Sequence, residues 1–171
     1  EAKSPDNDLV IAIEGSVSSM DPANIPDTNA ISATRGCYEM LVAFDENQEI
    51  QGQLAESYEV SEDSLTYTFH LREGVKFTDG TDFNAAAVKA NYDRIIDKEN
   101  NLRQRRTFVV TGEDGSETYR VESIETPDDY TVVFKLTEPW APFINRMTQI
   151  CMISPAALEE YGNCLLYTSP S

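Results

Sequence analysis

One stretch of strict alternation, residues 65–72, constrains the fold of this chain more than any other feature of the sequence. Every second residue is apolar, and the residues between them are polar. The apolar positions are Leu65, Tyr67, Phe69 and Leu71. Because successive side chains of a β-strand point to opposite faces, this period of two predicts a strand with one buried face and one polar face.

A turn and a second short alternation follow that strand. Gly74 adopts a positive φ angle at little steric cost, and Asp79-Gly80 is a further turn signal. Between these turns, Val75 and Phe77 are apolar at a spacing of two. The two apolar runs together predict an antiparallel pair of strands with one buried face.

A second strong strand signal and a helix signal complete the predicted core. Residues 130–136 alternate, with apolar residues at Tyr130, Val132, Phe134 and Leu136. Asn84 is a suitable N-cap for a helix in which Val88, Tyr92 and Ile95 share one face. We therefore expect an antiparallel sheet whose apolar face is covered by the helix that follows Asn84.

The first 44 residues show different signals. Residues 9–13 are a short apolar run rich in β-branched side chains, which predicts a buried strand in a parallel or mixed sheet. A loop of small residues and then Met20-Asp21-Pro22 follow, and such loops after strands often carry ligand contacts in open α/β sheets. Asp27 or Thr28 is expected to cap a helix that runs to about Val42.

The remaining segments predict smaller elements. Residues 97–118 are charged and poor in apolar side chains, which favours a loop or an extra hairpin. Their basic cluster, Arg103, Arg105 and Arg106, could hold an anion, but a solvated cluster is the commoner outcome in so acidic a chain. Residues 139–143 form a proline-aromatic bend before a short helix, and Ser154-Pro155 begins another helix.

Several ordered segments resemble the signature region of bacterial extracellular solute-binding proteins, the peptide, dipeptide and nickel-chelate family that feeds ABC transporters. These segments are 54–63, 66–72, 74–77, 79–85, 130–136, 139–143 and 154–158. The resemblance implies an α/β (α+β) chain that forms the N-terminal part of a two-lobed periplasmic-binding-protein fold. A mixed sheet would begin the fold, and a mainly antiparallel subdomain with covering helices would follow it.

The same resemblance implies a division of the chain. Residues 1–44 would start the first ligand-binding lobe, and residues 45–163 would form a supporting α/β subdomain. Residues 164–171 match nothing expected in the family, so we interpret them as a tail left by a truncated reading frame or a cloning scar. With part of the charged ligand contacts missing, we expect the 171 residues alone to bind weakly or not at all.

The function implied by the resemblance is capture of oligopeptides or dipeptides for import through a membrane ABC permease. A metal chelate or another small solute on the same fold, and an extracellular interaction domain, are alternatives. The location would be periplasmic or extracellular, with lipid anchoring to the outer face of the cell membrane as one option. We expect a monomer.

Two groups of residues are the candidate ligand contacts. In the resembled family a Leu/Met-Asp-Pro segment runs along the ligand cleft, and the corresponding candidates are Ser16, Val17, Ser18, Ser19 and Met20. A plain turn held by Ser and Asp side-chain hydrogen bonds is the alternative. Trp140 is the second candidate, for which burial at a subdomain junction is the commoner role.

Composition excludes other classes of function. The chain has 30 acidic and 13 basic residues, a net charge of −17, which repels nucleic acids. This charge is expected to keep the surface soluble, and attraction of cationic ligands would need an acidic cleft.

The spacings of Cys37, Cys151 and Cys164 fit no metal motif, and no disulfide is assigned. His70, the only histidine, lacks a neighbouring nucleophile motif, so we predict no catalytic residues, no metal, no cofactor and no enzyme.

Overall fold

The alternating stretch forms one of the two central strands of a four-stranded antiparallel sheet in the computed structural model, which describes residues 19–25, 31–32, 34 and 36–161. The strands of this sheet are β3 (Ala55–Val60), β4 (Thr66–Leu71), β7 (Val121–Asp128) and β8 (Thr131–Leu136), in the order β3-β4-β8-β7. The predicted sheet is thus present, with β4 and β8 side by side at its centre.

The alternation places one face of each central strand in the core. On β4, Tyr67, Phe69 and Leu71 are buried, and on β8 the buried residues are Val132, Phe134 and Leu136. Helix α1 (Ala85–Ile96) covers this face with Val88, Tyr92 and Ile95, and all three are buried. The Ala87 N–H donates to Asn84 Oδ1 over 2.9 Å, so the predicted N-cap is confirmed.

Aromatic rings fill the space between the sheet and the helix. The centroid of the Phe134 ring lies 5.7 Å from that of Phe69, 5.6 Å from that of Tyr92 and 5.5 Å from that of Phe143. Tilted and edge-on ring pairs at such distances stabilise a core beyond the burial of their area. Phe134 therefore joins β4, α1 and the segment after β8 in one cluster.

The predicted pairing of residues 65–71 with residues 75–77 is wrong. The hairpin partner of β4 is β3, which precedes it, and the turn between them is closed by a Ser61 N–H that donates to the Thr66 carbonyl over 2.9 Å. Gly74, with φ +73°, redirects the chain away from β4. Val75 and Phe77 then form backbone hydrogen bonds with residues 81–83 and bury only part of their side chains against the core.

The smaller elements surround this layer. A 3-10 helix spans Pro22–Asn24, strands β1 (Val42–Phe44) and β2 (Ile50–Gly52) form one hairpin, and strands β5 (Val109–Thr111) and β6 (Glu117–Tyr119) form another. The helices are α2 (Arg105–Phe108), α3 (Phe143–Met147) and α4 (Pro155–Tyr161). The extra hairpin predicted within 97–118 and both late helices are confirmed. In the described ranges, no helix has the length and apolar character that crossing a membrane requires.

The predicted helix up to about Val42 is too long. Residues 31, 32 and 34 are helical, but a turn follows at residues 36–37 and Val42 begins strand β1. Leu41 and Val42 are both fully buried and belong to the hydrophobic core. The strand predicted at residues 9–13 lies outside the described residues.

We expect Phe134→Ala to lower the free energy of unfolding by about 3 to 5 kcal/mol, because it removes a fully buried ring with three aromatic neighbours. Urea unfolding followed by circular dichroism measures the loss. The control is Val60→Ala on edge strand β3, where the side chain is 44% exposed and the loss should be about 1 kcal/mol or less. Equal losses in the two variants would contradict a core centred on Phe134.

Candidate functional site

A surface cleft of about 590 Å³ lies where the N-terminal segment meets helices α2 and α3. Its lining comes from five residues of the N-terminal part, from the start of α2, from Arg120 and from the segment around α3. These residues are Pro22, Ile25, Ile31, Thr34, Met40, Arg103, Gln104, Arg106, Thr107, Arg120, Trp140, Pro142, Arg146, Thr148, Gln149 and Cys151. A cleft of this volume is in the range of small-molecule sites in proteins. Four arginines line it, Arg103, Arg106, Arg120 and Arg146.

Gln104 holds the walls of the cleft together. Its backbone N–H donates to the Ala23 carbonyl over 3.0 Å, and its side-chain Nε2 donates to the Gln149 carbonyl over 2.9 Å. The 3-10 helix Pro22–Asn24, the start of α2 and the turn after α3 are therefore fixed to one another. Arginines that are far apart in the sequence converge because these connections bring their elements to one place.

Trp140 forms part of the cleft wall and is anchored in the aromatic core. Its ring centroid lies 6.4 Å from that of Phe108 and 6.1 Å from that of Phe143, and both phenylalanines are fully buried. The Arg120 guanidinium carbon also lies against this ring, 4.7 Å from its centroid, which is a cation–π distance. Trp140 is thus half-buried at a junction and also lines the cleft, while its role in binding stays a prediction.

The electrostatics of the cleft differ from those of the whole chain. No aspartate or glutamate belongs to the described lining residues, although the chain has 30 acidic residues. Within the described residues, none of the four lining arginines takes part in an ion pair. Four cationic groups that have no carboxylate partner among the described residues give this part of the surface a positive charge on a strongly acidic protein.

The basic cluster predicted at 103–106 separates into two roles. Arg105 donates from Nη2 to Glu117 Oε2 over 2.8 Å and from Nε to the Ile96 carbonyl over 2.7 Å. These contacts lower the pKa of Glu117 and raise that of Arg105, chiefly through the hydrogen bond between them. Arg105 is therefore structural, whereas Arg103 and Arg106 line the cleft.

The candidates near the N-terminus are only partly described. Ser16, Val17 and Ser18 lie outside the described residues. Ser19 is buried and its Oγ accepts a hydrogen bond from the Asp21 N–H over 3.1 Å, while Met20 is half-buried. Neither belongs to the described lining residues, although Pro22 shortly after them does. Their contact with a ligand stays a prediction. The alternative was a turn held by serine and aspartate side-chain hydrogen bonds, and such bonds are present at Ser19 and Asp21.

A buried ion pair fixes this N-terminal segment to the core. The carboxylate of Asp21 accepts two hydrogen bonds from the guanidinium of Arg94 on α1, and the side chains are 6% and 10% exposed, respectively. Asp21 Oδ1 also accepts the Ala23 N–H over 3.0 Å and so caps the 3-10 helix. The position of the Pro22 wall of the cleft therefore depends on this pair.

The described residues contain no group of three His, Cys, Asp or Glu side chains close enough to hold a metal ion. His70 lies 3.8 Å from Glu59 Oε1 and is 44% exposed, as expected for a cross-strand partner on the polar face of β4. Arg120 and Arg146 escaped the sequence analysis because neither belongs to a motif or a local cluster.

Comparisons with known proteins give the sequence and structural relatives of this chain. The family model described as "Bacterial extracellular solute-binding proteins, family 5 Middle" matches residues 49–163. The glutathione-binding protein GsiB of Escherichia coli (strain K12) is 41% identical over 157 residues, which are 91% of this chain and 29% of the relative. The chain thus spans less than a third of the length of this curated relative.

Two solved structures share the fold. The periplasmic binding protein AgaA of A. tumefaciens R10, in complex with agropinic acid, matches with a TM-score of 0.75 and 32% identity over 85% of this chain and 28% of that one. The periplasmic binding protein DppA of Helicobacter pylori, in complex with the peptide STSA, matches with a TM-score of 0.69 and 30% identity. This match covers 88% of this chain and 32% of DppA. The predicted fold class, an α/β part of a periplasmic-binding-protein structure, is confirmed.

We expect iodide to quench the fluorescence of Trp140 more strongly than caesium does, although the chain carries a net charge of −17. Trp140 is the only tryptophan, so it reports the potential of the cleft alone. A local positive potential concentrates the anion and excludes the cation. Stern–Volmer constants for the two ions, with acrylamide as the neutral reference, measure this difference.

Variants localise the effect. Arg146→Gln in the cleft should reduce the iodide constant, whereas Arg72→Gln, an exposed arginine outside the cleft lining, should not. Both variants change the net charge equally. Stronger quenching by caesium than by iodide in the unmodified chain would contradict a positive cleft.

We expect Arg94→Met to lower the free energy of unfolding by about 3 kcal/mol or more, because it leaves the Asp21 carboxylate buried without its partner. Urea unfolding measures the loss. The double variant Asp21→Asn, Arg94→Met should lose less stability than the single variant. Asparagine at position 21 can still accept the hydrogen bond from the Ala23 N–H, and it carries no charge. A double variant that is less stable than Arg94→Met would show that the charge on Asp21 is not what makes the single change costly.

Proposed function

The chain belongs to the bacterial extracellular solute-binding proteins of family 5, and from this premise we propose that it is part of the solute-capture component of an ABC importer. Proteins of this family bind solutes and are not enzymes, so the prediction of a non-enzyme is confirmed by family membership. The proposed partners are a small solute and a membrane permease. The proposed location is outside the cytoplasmic membrane, and lipid anchoring and a monomeric state stay predictions.

The solute that we propose is a dipeptide or an oligopeptide. The observation that carries the proposal is the cleft itself, in which Trp140 and four arginines that form no ion pair with any described carboxylate line about 590 Å³. An extended peptide offers main-chain groups for hydrogen bonds and a C-terminal carboxylate for an arginine. One relative of this chain is named for glutathione, and two similar solved structures are complexes with agropinic acid and with the peptide STSA, so peptides are among the solutes of the wider group.

A metal chelate is the second candidate. Chelating ligands are rich in carboxylates, which the lining arginines could also bind. No group of metal-binding side chains is present in the described ranges, so the metal would have to arrive already bound by its chelator. The test below therefore includes both classes of solute.

The proposed division of the chain places the cleft at a boundary. Residues 1–44 are proposed to start the first ligand-binding lobe, and residues 45–163 to form the supporting subdomain. Pro22 and Ile25 from the first part and the arginines from the second line the same cleft, which supports a ligand position between the two parts. The interpretation of residues 164–171 as a tail concerns residues outside the described ranges.

Because the cleft lies within the described residues, we expect weak binding rather than none: the 171-residue chain should bind at least one peptide with a dissociation constant in the millimolar range, which corresponds to about 4 kcal/mol. The probes are glutathione, the tetrapeptide Ser-Thr-Ser-Ala and nickel(II)-histidine. Trp140 fluorescence gives the affinity, and amide chemical shifts give the location, which should be residues 103–107 and 140–151. A free tryptophan derivative titrated in parallel corrects for optical effects.

The outcomes distinguish the candidates. Saturable binding of a peptide in the cleft supports the proposal, and binding of the nickel complex alone favours the chelate. Absence of any saturable response, or shift changes confined to the far side of the sheet around Tyr130, would contradict solute capture at this cleft.

A further inference from the structure

We infer that the cleft selects solutes that carry carboxylates and that Arg120, held on the ring of Trp140, determines this selectivity. The inference deepens the proposed function and rests on it. It concerns the class of solute, because a peptide-binding cleft need not prefer acidic over neutral peptides.

The distribution of charge is the first argument. Four of the 13 basic residues of the chain line this one cleft, and none of the 30 acidic residues belongs to its described lining. Random placement on so acidic a surface would bring carboxylates to the arginines and neutralise them. Cationic groups that remain without such partners can pair with an anion on the solute.

Arg120 differs from the other three lining arginines. Arg103, Arg106 and Arg146 are exposed, and their long side chains lose conformational entropy when they bind a ligand. Arg120 is half-buried and already lies over Trp140 at 4.7 Å. The cation–π contact uses the charge of the guanidinium and leaves its N–H donors available for a carboxylate.

The backbone also holds Arg120 in place. Its N–H donates to the Phe108 carbonyl over 2.8 Å, and its carbonyl accepts the N–H of Thr137 over 3.0 Å. Phe108 in turn contacts the ring of Trp140. Phe108 thus holds both Arg120 and Trp140 in place. The two side chains therefore lose little conformational entropy when a carboxylate binds.

The remaining arginines have a supporting role in this arrangement. Exposed charges act through a field that salt screens over about 8 Å at physiological ionic strength. Arg103, Arg106 and Arg146 therefore raise the local concentration of anions. The fork of donors on Arg120, which can bind both oxygens of one carboxylate, supplies the fixed contact.

The test compares two peptides that differ only in charge. N-acetyl-Glu-Ala-Glu amide carries two side-chain carboxylates, and N-acetyl-Gln-Ala-Gln amide has nearly the same shape and none. Titrations of the 171-residue chain, followed by Trp140 fluorescence, should give an affinity about tenfold or more higher for the acidic peptide, which corresponds to about 1.4 kcal/mol. The preference should decrease as sodium chloride is added.

Three variants locate the selectivity. Arg120→Gln should remove most of the preference for the acidic peptide. Arg120→Lys should retain only part of it, because an ammonium group cannot form two parallel hydrogen bonds to one carboxylate. Arg72→Gln makes the same change in net charge outside the cleft and should leave the preference unchanged. Circular dichroism of each variant checks that the fold is retained.

Each outcome decides the question. Equal affinity for the two peptides, or tighter binding of the neutral one, overturns the inference and leaves solute capture standing. Equal effects of Arg120→Gln and Arg72→Gln overturn the role of Arg120. Failure of both peptides, together with failure of the probes for the proposed function, overturns the inference and the proposed function alike.

Discussion

Burial of the Phe134 ring between the sheet and helix α1 is the contact on which the rest of the structure depends. The ring is fully buried and contacts Phe143, which in turn contacts Trp140. Trp140 carries the guanidinium of Arg120 at the wall of the cleft. A continuous series of ring contacts therefore runs from the core to the candidate site. The geometry of the site is set by the hydrophobic packing that stabilises the fold, because well-packed rings have little freedom to move.

Two sets of arginines have different electrostatic roles. Arg94 and Arg105 each hold a carboxylate partner, Asp21 and Glu117, and these pairs fix the segments that frame the cleft. The arginines inside the cleft have no such partner among the described residues. The net charge of −17 therefore says little about the site, since screening over about 8 Å makes the local arrangement of charges decisive.

Periodicity predicted the layer of β4, β8 and α1 because these elements bury one face, and burial leaves a regular trace in the sequence. The same reasoning failed at Val75 and Phe77. Two apolar residues at a spacing of two also suit a loop that packs two side chains against the core. It failed again near Val42, which begins strand β1 and does not end a helix. Short runs do not distinguish these cases, because the deciding contacts come from other parts of the chain.

The candidate site was less predictable than the fold for a different physical reason. Trp140 was recognisable from its proline-aromatic bend, but Arg120 and Arg146 lie in segments without any shared motif. What marks these arginines is the lack of an ion pair with any described carboxylate, in a chain with 30 acidic residues. Such a lack depends on every residue that folding brings close, so no window of sequence contains it. The basic cluster of the sequence supplied only Arg103 and Arg106 of the four lining arginines, and folding added Arg120 and Arg146 to a cleft whose described lining contains no acidic residue.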